Sequence, residues 1–546
     1  MANGAEGSRE KGSAWRWTVS DSVRARVLPL VLLNLAALIV VGNFLNAHLK
    51  NFGGHDIQFL LLAEALAKGA GYVNLHLPGA PIHTHYPPLY AALLAPLVKF
   101  GAPLVVLKAW TAVLGVIGFN LAYLFLVPLR GRRLALLAVI GAMLSQSFID
   151  FGLHCMSDGP YLLFSFAALL FVRRTFAEHG PWKRNAVLAG VFSGLAVLLR
   201  TVGLVLAPAI AIYAFTARAP GLAARSRLSR LVVIGLVTLF CSTPWLATIV
   251  LKRAPVSYVL ELTNTTRAAA GDTQGGTGGV LQHPLANIDV LAREASPPGM
   301  RPILGTIYLV FFALTIVPIV VGLARGVALD REIGAIYAVV YFLVVMVWVP
   351  AGYRLLMPLF PLLLSALCGG VELLTRRFAR PRLVGRLATG WLAGIAVVEL
   401  AVIQFVPLVN QQLHGHEALW WRQYLRVVCT LGTIADPGST VVSQPLTVPY
   451  YLAGLPCAPV RGRQPDVKQA ILDSGASYVI LSPSLRHRRA FKKALIEAPD
   501  RFRPIVELGP TEIFAVVDPA TPPDWGPGVP RPYSARCQQL LTYEAD

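Results

Sequence analysis

Charge is what this sequence has least of. Asp, Glu, Lys and Arg together make up 14% of its 546 residues, against 55% for hydrophobic types. An ordinary soluble chain carries about a quarter charged residues. Too few are present to cover a water-soluble globule of this length, which excludes that class. Acidic groups are scarcer still, 28 against 48 Lys plus Arg. The net charge of +20 does not indicate nucleic acid, because the basic residues form short clusters between apolar runs. Cysteine is sparse as well: the 6 cysteines show no metal-ligand spacing. A cleavable leader is not expected either. The first apolar run, Val27–Ala47, is too long for a signal core and follows Arg16, Arg24 and Arg26. It reads as an uncleaved anchor with a cytoplasmic N-terminus, residues 1–26.

What the sequence does have is apolar runs of membrane-spanning length. After the anchor come Pro88–Phe100, Val105–Leu129, Leu134–Phe151, Pro160–Val172, Ala186–Leu199 and Gly203–Ala217. Then follow Leu231–Leu251, Ile303–Ala324, Ile333–Val349, Leu355–Leu374 and Leu387–Val409. A crossing needs roughly 20 residues. Pro88–Phe100 is far shorter and contains Pro96, and treating it as interfacial or re-entrant puts the later Arg clusters inside: Arg130–Arg133, Arg173–Arg174, Arg218–Arg230, Arg325–Arg331 and Arg376–Arg386. The same rule divides Ala186–Ala217 into two short spans at Arg200. The expectation is an α-helical polytopic membrane protein of about 11 transmembrane helices over residues 27–409.

Exterior segments then follow: residues 48–104, the short "GLHCMSDG" (Gly152–Gly159), residues 252–302, and everything after Val409. The 252–302 loop holds the Gly-rich Gly271–Gly279 and a short helical stretch around Pro284–Glu294. Glycine at that density predicts a segment that orders on binding. Residues 410–546 change character. "TVVSQ", "YVILS" and "EIFAVV" read as strands, and "PDVKQAILDSG" and "RRAFKKALIEAP" as helices between them. They predict a small exterior, periplasmic α/β domain, ending in a Pro-rich coil from Asp518 to Pro532. In an oxidising compartment, two of Cys429, Cys457 and Cys537 can pair, and the sequence leaves open which.

At this point the residues resemble a known family. An exterior Asp soon after the first span, then "ALAKGAGY" and "HYPPLYAALLAPL", is similar to the GT-C class of integral-membrane glycosyltransferases. The resemblance is to the branch of protein O-mannosyltransferases and the lipid A aminoarabinose transferase. It continues in "MSDGPYLLFSF", "GLAVLLRTVGL" and "GYRLLMPLFPLLL", and covers roughly Val27–Val409. It implies transfer of a hexosyl or pentosyl unit from a polyprenyl-phosphate-linked donor to a lipid, glycan or protein acceptor. The implied place is the outer face of a bacterial inner membrane, with membrane lipids around the chain and no nucleic acid. The tail is similar to the family's exterior domains only in outline.

Such chemistry needs a base for the acceptor hydroxyl and stabilisation of the departing phosphate. The residues alone leave two readings of Asp56 open: a helix N-cap before Ile57, or a catalytic group. The resemblance implies the general base. Where the family often has a second acid after this Asp, Ile57 stands here, which weakens a metal held by paired acids. Asp158 in "SDGP" is good cap chemistry and also matches the family's second-loop acid, for which the resemblance implies a catalytic role in orienting the acceptor, Asp56 or a metal. Arg200 and Arg354 interrupt apolar stretches. A charge at membrane depth faces a cavity, a partner or the interface, and a guanidinium suits a lipid phosphate. His85, Tyr86, Tyr90 and Tyr353 flank these positions as donor-lining candidates. His48, His55, His76, His83 and His85 crowd the first loop, out of 11 histidines in the chain. If a divalent metal ion serves as cofactor, Asp56, Asp158, His55 and His83 are its candidate ligands, though no spacing is diagnostic. A transporter or flippase of a lipid-linked sugar is the alternative. Against it, no internal repeat is visible and the distinctive charges lie at exterior helix ends. A receptor, with the tail as ligand domain, would leave the exterior acids without a purpose.

Overall fold

The computed structural model describes residues 23–49, 54–178, 180–216, 222–251, 301–347, 353–376, 383–397, 415–460, 464, 466–483, 485, 488–517 and 531–543. The Gly271–Gly279 segment, the helical stretch around Pro284–Glu294 and residues 518–530 of the Pro-rich coil lie outside them.

The apolar runs fold as helices: α1 (Val23–Phe44), α2 (His55–Ala67), α3 (Leu89–Lys99), α4 (Leu104–Met143), α5 (Asp158–Thr175), α6 (Trp182–Leu199), α7 (Leu206–Thr216) and α8 (Ala224–Leu251). They continue as α9 (Arg301–Ala328), α10 (Ile333–Val347), α11 (Phe360–Thr375) and α12 (Leu383–Val397). Five of the described helices are long and apolar enough to cross a membrane outright, and several shorter apolar helices accompany them. Leucines and valines on α1, α8 and α9 remain exposed, as lipid-facing side chains do. The chain is a multi-pass membrane protein.

Two boundaries differ from expectation. Val105–Leu129 and Leu134–Phe151 belong to two helical segments, as expected, but no loop parts them: they meet at Gly131 (φ 75°, ψ 165°), three residues after Pro128, and α4 denotes both. A single glycine at positive φ lets the helix turn and resume. That helix then ends at Met143, before a π turn at Phe148–Gly152. The break at Arg200 is present. α6 stops at Leu199, Arg200 is extended (φ −149°, ψ 134°), and a 3₁₀ turn at Thr201–Val205 leads into α7. α3 is only 11 residues long and carries Pro96.

The C-terminal region is α/β: α13 (Gly415–Ile434), β1 (Val441–Val442), α14 (Thr447–Ala453), α15 (Val467–Asp473), β2 (Tyr478–Leu481), α16 (Arg488–Ile496), β3 (Phe502–Leu508), β4 (Thr511–Val516) and α17 (Ala535–Tyr543). The sheet order is β1-β2-β4-β3, with β1 and β2 parallel and the other pairs antiparallel. β3, α13, α14 and α17 have no counterpart in the sequence reading. Cys429 on α13 and Cys537 on α17 form the disulfide, and Cys457 is buried and reduced. This region packs directly on the first loop. Trp421 Nε1 donates to Leu49 O at 2.8 Å, and Cys457 N to His76 O at 2.7 Å.

Candidate active site

Asp56 is the second residue of α2 and is 2% exposed. It caps nothing: the N-cap residue is Gly54, in the left-handed region, and no side chain caps this helix. Its Oδ1 instead accepts from the adjacent Ile57 N–H at 2.8 Å. Burial pushes its carboxyl up to about 6, opposed by that hydrogen bond and by the charges of Lys108 and Arg354.

Asp158 opens α5 and is completely buried. The closeness of α5 to α4 depends on a small residue, since a Cβ on Gly118 of α4 would sit 2.7 Å from Leu163 N of α5. Ser157 holds the N-cap position, without a side-chain capping bond. The Asp158 carboxylate faces two guanidiniums. Arg200 Nη1 donates to Oδ1, and Arg354 donates to Oδ2 through Nε and Nη2, each at 2.9 Å. Arg354 comes from the 3₁₀ turn Tyr353–Leu359, and its Cζ lies 5.4 Å from the Phe151 ring centroid. Two arginines and one aspartate leave the triad with one net positive charge. Because Arg354 also acts on Asp56, it links the two acids.

The first-loop histidines are organised differently from their metal-ligand reading. Tyr86 N–H donates to His83 Nε2 at 2.8 Å, so His83 Nδ1 is the donor to Asn74 Oδ1 at 2.7 Å. Gln58 of α2 donates to the same Asn74 oxygen at 3.1 Å. Burial, with His85 and His76 nearby, pushes His83 down to about 3. Burial alone takes His76 and His85 to about 4. These rings are neutral at physiological pH. Tyr86 hydroxyl bonds His55 Nδ1, and its ring packs edge-on against His85 at 4.5 Å. Tyr90 is buried, bonded to Thr111 Oγ1 at 2.7 Å. The Tyr353 side chain lies outside the described residues.

A metal held by Asp56, Asp158, His55 and His83 does not fit this arrangement. Both nitrogens of His83 are committed, and both oxygens of Asp158 are taken by arginines. Among the described residues no three His, Cys, Asp or Glu side chains gather as a metal would require.

One contributor was missed. Lys108, near the start of α4, is 1% exposed; its Nζ donates to His48 O at 2.6 Å, and its charge acts on Asp56. A lysine inside an apolar run is the same signal that marked Arg200. It was available in "VLKAW".

The family model for dolichyl-phosphate-mannose-protein mannosyltransferases matches residues 85–247. No curated protein matches the chain in sequence. Among solved structures, ArnT from Cupriavidus metallidurans bound to undecaprenyl phosphate aligns with a TM-score of 0.57 at 13% identity, covering 92% of this chain and 100% of that one. Its apo form gives 0.58 at 14% identity, over 90% and 98%. The archaeal oligosaccharyltransferase AglB from Archaeoglobus fulgidus, in complex with an inhibitory peptide and a dolichol-phosphate, gives 0.54 at 14%, over 94% and 77%. The chain has the GT-C membrane fold. It resembles the branch that holds the O-mannosyltransferases and ArnT.

Proposed function

We propose that this chain is a glycosyltransferase that moves a sugar from a polyprenyl-phosphate-linked donor to an acceptor hydroxyl on the outer face of the membrane. Asp56 is its general base, and Arg200 and Arg354 hold the donor phosphate. The observation that carries the reading is a buried carboxylate, pushed up to about 6, beside a cationic triad with a surplus charge. Near pH 7 such a group is ionised yet basic enough to accept a proton.

In the reaction, the acceptor oxygen attacks the anomeric carbon as its proton passes to Asp56. The bond from that carbon to the phosphate oxygen breaks, and its electron pair leaves with the polyprenyl phosphate. The triad's net positive charge stabilises the charge developing there. Asp158 sets the two guanidiniums side by side; with both oxygens accepting from arginine, it is an anchor and not a second base. Lys108 keeps Asp56 in its working, ionised form. The proposed arrangement has residues 27–409 as the membrane part in a bacterial inner membrane, the N-terminus inside, and residues 410–546 outside. What the relatives named above bind supports a lipid-phosphate donor for this chain as well.

The test is reconstitution. Purified protein in lipid vesicles receives undecaprenyl-phosphate-linked hexoses and pentoses, with a membrane extract as acceptor source. The expected result is protein-dependent release of free undecaprenyl phosphate matched by sugar in the acceptor fraction. Failure of every donor, in folded protein, would overturn the proposal.

A further inference from the structure

α2 carries Asp56 at its start and Glu64 about two turns further on. Glu64 Oε2 receives Arg536 Nη2 from α17 at 2.7 Å, while Oε1 receives Lys68 Nζ at 2.7 Å. Arg536 is itself held from several sides. Its Nη1 donates to Tyr451 O at 3.0 Å, and its Cζ sits 4.2 Å over the Tyr451 ring. The next residue, Cys537, is tied by its disulfide to Cys429 on α13.

The other end of α2 is gripped too. Gly54, with φ 83°, accepts from Thr447 Oγ1 of α14 at 3.2 Å, and a Cβ at this position would run into Thr447 and Pro445. Between the two grips, Ile57 and Leu61 are fully buried in the C-terminal core with Trp421, Tyr424 and Val428. Phe59, Leu60, Leu62 and Ala63 of the same helix are buried in the transmembrane core.

A helix of 13 residues does not hold its own place or even its own fold; tertiary contacts do. One grip would leave a pivot. Two, at opposite ends, fix both rotation and translation of the helix.

We infer that Arg536 is a positioning residue for sugar transfer: through Glu64, the C-terminal domain fixes α2 so that Asp56 stays within range of the charges of Arg354 and Lys108, and the Cys429–Cys537 disulfide keeps Arg536 in reach. This rests on Asp56 being the base. The C-terminal domain thereby acts on the chemistry itself, from a residue 480 positions away in the chain from Asp56. A displacement of about 1 Å at a reacting group costs on the order of 10²-fold in rate.

The test compares Arg536→Ala, Arg536→Lys, Glu64→Gln and the double variant Glu64→Gln/Arg536→Ala in full-length, detergent-purified protein. Two readouts are taken: kcat and KM for the lipid-linked donor, and hydrogen exchange over residues 55–67. Arg536→Ala should lower kcat by about 10- to 100-fold with donor KM unchanged, and speed exchange in α2. Arg536→Lys should recover most of the rate. The double variant should be no worse than the poorer single one, because both remove the same pair. Unchanged kcat and exchange in Arg536→Ala would overturn the inference. So would additive losses in the double variant. If Arg536→Ala fails to fold, Glu64→Gln and Arg536→Lys carry the same comparison. If no sugar transfer is found for the wild type, exchange over α2 still decides the clamp: faster exchange in Arg536→Ala supports it and unchanged exchange removes it.

Discussion

Arg354 places two donors, Nε and Nη2, on one oxygen of Asp158, each at 2.9 Å, and Arg200 occupies the other oxygen. Three elements distant in sequence meet in this contact: the start of α5, the break after α6 and the turn before α11. A carboxylate engaged in this way organises two cations that would otherwise repel each other.

Asp158→Asn therefore tests the triad. The amide keeps the size but removes the negative charge that both guanidiniums share, and breaking a buried pair costs about 3–5 kcal/mol. The variant should melt at a lower temperature and bind donor at least about tenfold more weakly, as the arginines move apart. Arg354→Lys should weaken donor binding too, since an ammonium cannot reproduce a two-donor contact. Donor titration by a quenched fluorescent polyprenyl phosphate reads both. Wild-type affinity in Asp158→Asn would mean that the arginines serve the fold and not the donor.

Topology makes a separate prediction. A single cysteine at Lys493, which is exposed on α16, should react with an impermeant maleimide added to intact cells. One at Arg133, beyond the α4 kink, should react only after the membrane is opened. The reverse pattern would invert the whole arrangement and place Asp56 on the wrong side for an exterior donor.

The sequence made some of this legible and hid the rest for physical reasons. The break at Arg200 was readable because a charge inside an apolar run must be accommodated by the fold. The kink at Gly131 was not, since the "RGRR" cluster looks like a loop although only its glycine leaves helical geometry. Tyr478–Leu481 announced itself as a strand. Phe502–Leu508 did not, because Pro504 interrupts it on an edge, where the sheet tolerates proline. The disulfide joins cysteines 108 residues apart, a choice only the packing of α17 on α13 and α14 makes. Asp56, Asp158, Arg200 and Arg354 were each singled out as candidates one at a time. That Asp158 is bonded by both arginines was a matter of tertiary structure.

Lys108 offers a test of the charge around Asp56. Its ammonium lowers the Asp56 carboxyl, so Lys108→Met should let it rise further. A base must be ionised to act, and the acid limb of the kcat/KM profile should then move to higher pH. Activity at pH 6 should fall more than activity at pH 8. An equal fall at both would assign Lys108 to packing through its bond to His48.

Asp56→Asn separates the catalytic from the structural reading of the residue that defines the site. The acid limb should lie near pH 6 in the wild type, with activity rising through it and level above, because the ionised form accepts the proton. Asn keeps the shape and can still accept from Ile57 N–H but cannot take a proton. Turnover should fall by about 10²–10⁴-fold with donor KM little changed. Stability should move the other way. A carboxyl raised from 3.8 to about 6 disfavours the ionised folded state by about 3 kcal/mol at neutral pH. Between about pH 4 and 6 the unfolded chain has lost the proton that the native one keeps, so this cost grows as pH rises and is constant above. Thermal melting of the Asn variant relative to wild type should accordingly gain with pH over that window and then level off. A residue that destabilises its own fold while carrying the reaction is what a functional site predicts. Near-normal transfer by the Asn variant would mean that the base lies elsewhere. A melting difference that does not change with pH would mean that Asp56 is not buried as a carboxylate in the way the fold shows.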